Sequence, residues 1–171
     1  MKGRQITLPK SSRIRPTTDK IRLALFSIIH DKILSASVLD LFAGSGIFGI
    51  EALSRGAEWV DFVDINVSLV KKNTTDIDLK NFGITKKDFS RFLKSWKKRK
   101  YNIIFIDPPY GIYSPKEIIT LVKNNETLEK NGILIYEEHI TTNFDYSWTG
   151  MTITDERKYG DTMIRIFRGE K

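Results

Sequence analysis

Three observations predict a doubly wound α/β fold with a mostly parallel sheet closed by an antiparallel C-terminal strand. Apolar strand patterns alternate with helical ones, a glycine-rich turn joins the first strand to its helix, and a hairpin pattern ends the chain. A chain of 171 residues has room for one such domain, since domains run to roughly 100–200 residues. The expected organisation is therefore a single domain over 1–171, with 1–15 as a basic arm. At 40% hydrophobic and 29% charged, the composition is that of a folded protein. Its apolar runs are far shorter than the roughly 20 residues a membrane-spanning helix needs. The opening MKGRQITLPK lacks the apolar core of a secretion signal. Without cysteine there is no disulfide, thiolate metal centre or cysteine nucleophile. The expectation is a cytoplasmic protein with no membrane partner and no metal.

The elements follow in order. After Arg15-Pro16-Thr17-Thr18-Asp19, the spacing of Ile21, Leu25, Ile28 and Ile29 predicts a helix. Thr17 or Thr18 can cap it, and Asp19 suits its positive end. A strand over 38–42 leads through the glycine loop into a helix that Gly56 can stop. A second strand over 59–63 precedes a helix from 66 to 80. A weak strand near Ile84, a short helix over 89–96 and a strand over 103–106 come next. Ser114-Pro115-Lys116-Glu117 reads as a serine cap, a proline at the first helical position and a glutamate closing a capping box. That helix feeds a strand over 133–136. Residues 151–157 and 162–168 pair around Tyr159-Gly160-Asp161.

The net charge of +7 is unevenly spread. Residues 1–22 carry seven basic side chains against Asp19 alone, and 86–100 carry eight against Asp88 alone. Two basic segments on an otherwise acidic chain suggest a polyanion footprint, since phosphate contacts release condensed counterions. The run Lys97-Lys98-Arg99-Lys100 is a solvated turn or, just before the 103–106 strand, an RNA contact. His30 and His139 have no partners at metal or triad spacing and read as a helix-end and a strand-end residue. Trp59 and Trp96 read as packing residues, and Trp148 as a loop anchor.

Gly44-Ser45-Gly46-Ile47-Phe48-Gly49 matches G-x-G-x-x-G after a strand and before a helix, where glycines let a ligand lie against the backbone. Asp64 ends the second strand and can accept from ribose hydroxyls. The combination alone fits a nicotinamide dinucleotide as well as another adenosine ligand. Asp40, four residues before Gly44, tilts the choice. A carboxylate there can meet a cationic group such as the amino end of S-adenosylmethionine, whereas it would repel a pyrophosphate. Asp88 can accept from an adenine amine, with Phe89 packed on the ring.

Asp107-Pro108-Pro109-Tyr110 ends the fourth strand at the carboxyl edge, where doubly wound sheets bind ligands. Two prolines remove two donors and leave carbonyls pointing outward. An exocyclic amine is a poor nucleophile because its lone pair is delocalised into the base. If Asp107 and the Pro108 carbonyl accept its hydrogens, the nitrogen pyramidalises, and both acceptors bind it more tightly as it becomes cationic. Tyr110 offers a stacking face for an extruded base.

These motifs, with the leading Arg15-Pro16-Thr17-Thr18-Asp19-Lys20 and the late Tyr159-Gly160-Asp161-Thr162, resemble the bacterial 16S rRNA guanine-N2 methyltransferase family (RsmD) over residues 2–167. The glycine loop and DPPY are shared by many amino-methyltransferases; the Arg-Pro-Thr and Tyr-Gly-Asp-Thr segments narrow the match. The resemblance implies the class I methyltransferase sheet with S-adenosyl-L-methionine as cofactor. It implies a monomer acting on a guanine of 16S rRNA in a partly assembled small subunit. Asp40, Gly44 and Gly46 would line the methionine end, Asp64 the ribose, and Asp88 with Phe89 the adenine. Phe42, Ala43 and Ile65 would be further cofactor contacts. Asp107, Pro108, Pro109 and Tyr110 would receive the amine, and Lys2, Arg4, Arg13, Arg15 and Thr17 would meet cofactor or RNA. Members usually begin with more residues, forming a basic hairpin; a chain starting at Lys2-Gly3-Arg4 implies a shortened hairpin and altered docking. Three alternatives stay open: methylation of adenine N6, a nicotinamide-dependent oxidoreductase, and an RNA-binding assembly factor without catalysis.

Overall fold

The computed structural model describes residues 6–7, 16–75, 77, 80–97 and 99–169, with only the backbone course given at 16–18. Seven strands form one sheet in the order β3-β2-β1-β4-β5-β7-β6. They are β1 (Ser37–Leu41), β2 (Trp59–Asp64), β3 (Phe82–Lys86), β4 (Tyr101–Ile106), β5 (Leu128–His139), β6 (Thr152–Tyr159) and β7 (Thr162–Arg168). The first five run parallel, and β7 is antiparallel to both β5 and β6. This is the predicted architecture. The strand order reverses between β1 and β4, the point at which such sheets open a crevice.

The six α-helices among the described residues cover both faces. On one lie α1 (Pro16–Ile28), α2 (His30–Ile33), α3 (Ile47–Ser54) and α4 (Ser68–Thr74). Ile21, Leu25, Phe26 and Phe48 pack there on Val38, Val60, Phe62, Phe105 and Ile135. On the other lie α5 (Phe89–Ser95) and α6 (Pro115–Asn124), where Phe92, Ile118 and Val122 pack on Leu39, Leu41, Ile104 and Tyr136. Alternate residues of β1, β4 and β5 thus enter opposite cores, as the two-residue period of a strand requires.

Three expectations need correction. The helix predicted over 66–80 is only α4, and Ile77 and Lys80 lie outside any helix. Its continuation is rich in Asn, Thr and Asp, and Thr74 and Thr75 turn their hydroxyls back onto Val70 and Lys71 carbonyls. At α6 the Ser114 hydroxyl accepts from Lys116 N–H at 3.2 Å, but Glu117 makes no return bond, so the capping box is half formed. β1 stops at Leu41 because Phe42 takes a left-handed φ of 65°. Gly56 ends α3 as expected: its N–H donates to the Leu53 carbonyl, and that of Ala57 to Ala52.

The basic run before β4 sits at the amino edge of the sheet. Arg99 stacks over Trp59 at 4.2 Å and faces the buried Asp61, while Lys100 pairs with Glu126 at 2.9 Å. β4 then carries the chain roughly 20 Å to the opposite edge. These two cations are therefore spent on the fold, far from DPPY; Lys98 lies outside the described residues.

Gly49 lets α3 approach β2. A methyl added there would lie 2.3 Å from Phe62 Cε1 and 2.8 Å from Val60 Cγ1. Gly49→Ala is expected to cost about 1–3 kcal/mol by overpacking. The check is a lower urea midpoint at unchanged slope; an unchanged midpoint would refute the close approach.

Candidate active site

The glycine loop is held from both sides by carboxylates. Beyond Leu41, Ala43 N–H donates to the Val63 carbonyl, and Gly44 N–H donates to Asp64 Oδ2 at 2.8 Å. Asp64 Oδ1 accepts from Asn66 N–H at 2.8 Å, so one side chain ties together the ends of β1 and β2. Gly46, with a φ of 76° that side-chained residues avoid, turns the chain into α3. In the first turn, Gly49 N–H donates to Asp40 Oδ2 at 3.0 Å. Asp40 is 2% exposed. Burial pushes its carboxyl up to about 7, against the pull of the Gly49 bond and with repulsion from Asp64 adding to the rise.

A cleft of about 630 Å³ opens beside this loop. Gly44, Asp64 and Ile65 form one side, Lys87, Asp88 and Phe89 another, and Pro108 and Pro109 the floor. Phe42, Phe89 and Tyr113 make an aromatic wall with ring centroids 5.1–5.4 Å apart. Asp88 caps α5, with Oδ1 accepting from the Ser90 N–H and hydroxyl and from Arg91 N–H. Partial burial works against it, but the Ser90 and Arg91 bonds and the Arg91 charge hold its carboxyl below the usual range. The cap uses Oδ1, and among the described residues Oδ2 takes no bond.

A second cavity of about 270 Å³ lies on the α1 side, walled by Ile21, Arg22, Phe48, Phe105 and the Tyr159–Thr162 turn. Asp107, Tyr110 and Glu137 line both spaces and so form their junction. Tyr110 Oη is 3.1 Å from Thr162 Oγ1 and donates toward Glu137 Oε1 at 3.4 Å. Burial first, then the nearby carboxylates, push this phenol up to about 12 despite the Thr162 bond. The Pro109 carbonyl accepts from Ile112 N–H at 3.3 Å, whereas among the described residues no donor reaches the Pro108 carbonyl.

Asp107 and Glu137 follow the paired residues Ile106 and Tyr136, so they stand level on neighbouring strands. By alternation both share a sheet face with Phe105, Ile135 and Asp40. Asp107 opens into the cleft, yet the protein crowding it, followed by Glu137 and Asp40, pushes its carboxyl well above the usual range. Burial lifts Glu137 to about 7 against the Tyr110 bond.

With this geometry in place, similarity to known proteins is decisive. The model for the family described as conserved hypothetical protein 95 matches residues 1–168. This chain belongs to that family. It is 36% identical to ribosomal RNA small subunit methyltransferase D of Buchnera aphidicola over 81% of this chain and 74% of that protein. It is 29% identical to ribosomal RNA small subunit methyltransferase D of Escherichia coli K12, covering 99% and 86%. The solved structure of Escherichia coli yhhF superposes with a TM-score of 0.84 at 29% identity, over 98% of this chain and 93% of that one.

In this family member the sequence-predicted residues are partly gathered. Phe42, Gly44, Asp64, Ile65, Asp88, Phe89, Asp107, Pro108, Pro109 and Tyr110 line one cleft. Asp40, Ala43 and Gly46 sit behind the loop and shape it instead of lining that wall. Lys2, Arg4, Arg13 and Arg15 lie outside the described residues, as does the Thr17 side chain. Sequence reasoning missed Glu137, Tyr113 and Thr162. For Glu137 the signal was an acid directly after the apolar 133–136 run, matching the position of Asp107 after 103–106, and for Thr162 it was the Tyr-Gly-Asp-Thr segment.

The acidic row fixes how stability varies with pH. An acid whose pKa rises on folding holds its proton more tightly in the native state, so its stabilisation is full below its unfolded value. For Glu137 that stabilisation is lost as pH climbs from 4.5 through about 7. Glu137→Gln is therefore expected to raise the melting temperature at pH 8 and leave it nearly unchanged at pH 4.5, with ~2–4 °C for each kcal/mol. Equal gains at both pH values in calorimetry would assign the effect to packing.

Proposed function

We propose that this chain transfers a methyl group from S-adenosyl-L-methionine to the exocyclic N2 of a guanine in 16S rRNA. The observation that carries the reading is the meeting of two cavities at Asp107, Tyr110 and Glu137. One suits an adenosine-bearing ligand, and the other can receive a base. The names of the relatives support methyl transfer to small-subunit rRNA.

The residues fit the cofactor on three counts. Asp64 stands at the cleft with both oxygens already anchored by N–H groups, so its remaining lone pairs are fixed toward a ribose. The aromatic wall of Phe42, Phe89 and Tyr113 suits a flat purine, and Asp88 Oδ2 can accept from its amine. Asp40, Asp107 and Glu137 supply negative potential for a cation. A bound S-adenosylmethionine supplies an electrophilic methyl on a sulfonium: the guanine N2 lone pair forms the C–N bond while the C–S pair returns to sulfur.

The chain's own part is orientation and proton handling. Asp107 and the Pro108 carbonyl accept the two N2 hydrogens and aim the lone pair. Tyr110, fixed by Thr162, braces the base. As N2 becomes cationic its acidity rises, and Asp107, with its raised pKa, is suited to take the departing proton before passing it to solvent. The basic arm over 1–15 and Lys87 at the cleft serve phosphate contact on a partly assembled small subunit, engaged by a monomer.

The test is methyl transfer to small-subunit particles lacking the modification, with nucleoside analysis of the product. N2-methylguanosine is the expected product, and Asp107→Ala should lose about 10²–10³-fold in kcat. N6-methyladenosine as the product, or full activity in Asp107→Ala, would overturn the reading.

A further inference from the structure

Glu137 is a half-buried acid whose acceptors are barely used. Among the described residues its only bond is the long one from Tyr110 Oη, and no cation pairs with it. Tyr110 does not depend on it, since Thr162 holds the same hydroxyl at shorter range. The charged groups lining the same two spaces are the acids Asp107, Asp161, Asp64 and Asp88, the cation Lys87, and Arg22, which is paired with Asp19 at 2.6 Å. A carboxylate left in this state is costly unless an occupant brings donors to it. It stands level with Asp107 on the adjacent strand and on the same face, at the junction of the two cavities.

Two side-by-side carboxylates demand two neighbouring donors from a flat ligand. Guanine presents this pair on its Watson–Crick edge, as the N2 amine and the N1–H. Adenine presents an amine beside a bare N1 lone pair, and cytosine an amine beside a bare N3. We infer that Glu137 accepts the N1–H of the target guanine while Asp107 holds N2, and is thereby the residue that selects guanine over adenine. This rests on the methyl-transfer reading above and assigns base choice within it. Against adenine, the Glu137 oxygen would face a nitrogen lone pair with no proton between them. Sites built to bond a substrate N–H reject analogues lacking it by about 10⁴-fold. DPPY alone cannot make the distinction, because it meets only the amine.

The test uses small-subunit particles reconstituted with guanine or 2,6-diaminopurine at the mapped target position. Diaminopurine keeps the amine at C2 but carries a lone pair at N1. The wild-type protein is expected to methylate guanine and reject diaminopurine. Glu137→Gln, whose amide can donate to N1, should lower the guanine-over-diaminopurine ratio in kcat/KM by about 10²-fold or more, chiefly through a gain on diaminopurine. A melting temperature at pH 4.5 matching that of the wild type shows that the fold of the variant persists, and saturating S-adenosylmethionine in every assay keeps any change in cofactor affinity out of the ratio. An unaltered ratio overturns the inference even if the rate on guanine falls, because a residue that merely braces Tyr110 would slow both bases alike. A wild-type protein that places no methyl on guanine N2 overturns the proposed function and this inference together, whereas an unaltered ratio with N2-methylguanosine still formed overturns this inference alone.

Discussion

Repulsion among Asp40, Asp107 and Glu137 is the constraint around which the site is arranged. They come from β1, β4 and β5, three neighbouring strands, and alternation turns them to one face near the carboxyl edge. Among the described residues no cation is paired with any of them. Asp40 is buried, Glu137 half-buried and Asp107 open to the cleft; the protein crowding each pushes its carboxyl upward, and other acids add to the rise of Asp107 and Asp40. Cores normally remove such groups or pair them. Holding them instead costs the free protein stability at neutral pH, and a cationic or donor-rich occupant relieves that cost. On the proposed function, a preference for a sulfonium and for an amine gaining charge is thus built in before either arrives.

Rigidity makes this arrangement usable. Asp64 fastens the glycine loop to β2 through Gly44, and Asp40 fastens α3 to β1 through Gly49. The same Gly49 has no Cβ, so the helix can lie against Phe62. Two adjacent prolines limit the backbone freedom of the β4 tip, and Thr162 on the terminal hairpin fixes the Tyr110 hydroxyl. The hairpin therefore does more than cover a sheet edge: it walls the second cavity and anchors a residue of the junction.

Much of this was legible in the residues. Strand and helix alternation gave the sheet, G-x-G-x-x-G its crevice, and DPPY the strand tip, because each rests on local backbone requirements that sequence expresses directly. Asp88 lines the cleft, and its second task as the cap of α5 went unread although the predicted helix over 89–96 starts at the next residue. The helix predicted to run to 80 failed because apolar spacing outlasted propensity beyond Thr74. The basic run at 97–100 was ambiguous because sequence adjacency to a strand does not say which end of the strand it meets. Tyr113 left no trace, and Thr162 stood out only as the end of the Tyr-Gly-Asp-Thr segment, since each acts through a partner far away in the chain.

Glu137 and Glu138 show what separates an acid left open to a ligand from one used up by the fold. They are identical in type and adjacent in β5, so neither composition nor propensity distinguishes them. The two-residue period sends Glu138 to the other face, where it is buried, ion-paired with Arg165 and bonded by Tyr146 Oη at 2.7 Å. Arg165 also reaches Glu156 at 2.6 Å, so Glu138 belongs to a network that locks β5, β6 and β7 together. Its charge is neutralised within the fold and has nothing to offer a ligand. One position earlier, Glu137 faces the cavities beside another acid, with only a weak phenolic donor. Register alone decides the difference, and a single-residue slip of β5 against β4 would exchange the two. The β4–β5 pairing jumps from Tyr101 opposite Leu128 to Ile103 opposite Ile133, and beyond that irregularity the register runs unbroken to Ile106 opposite Tyr136, which puts Glu137 level with Asp107.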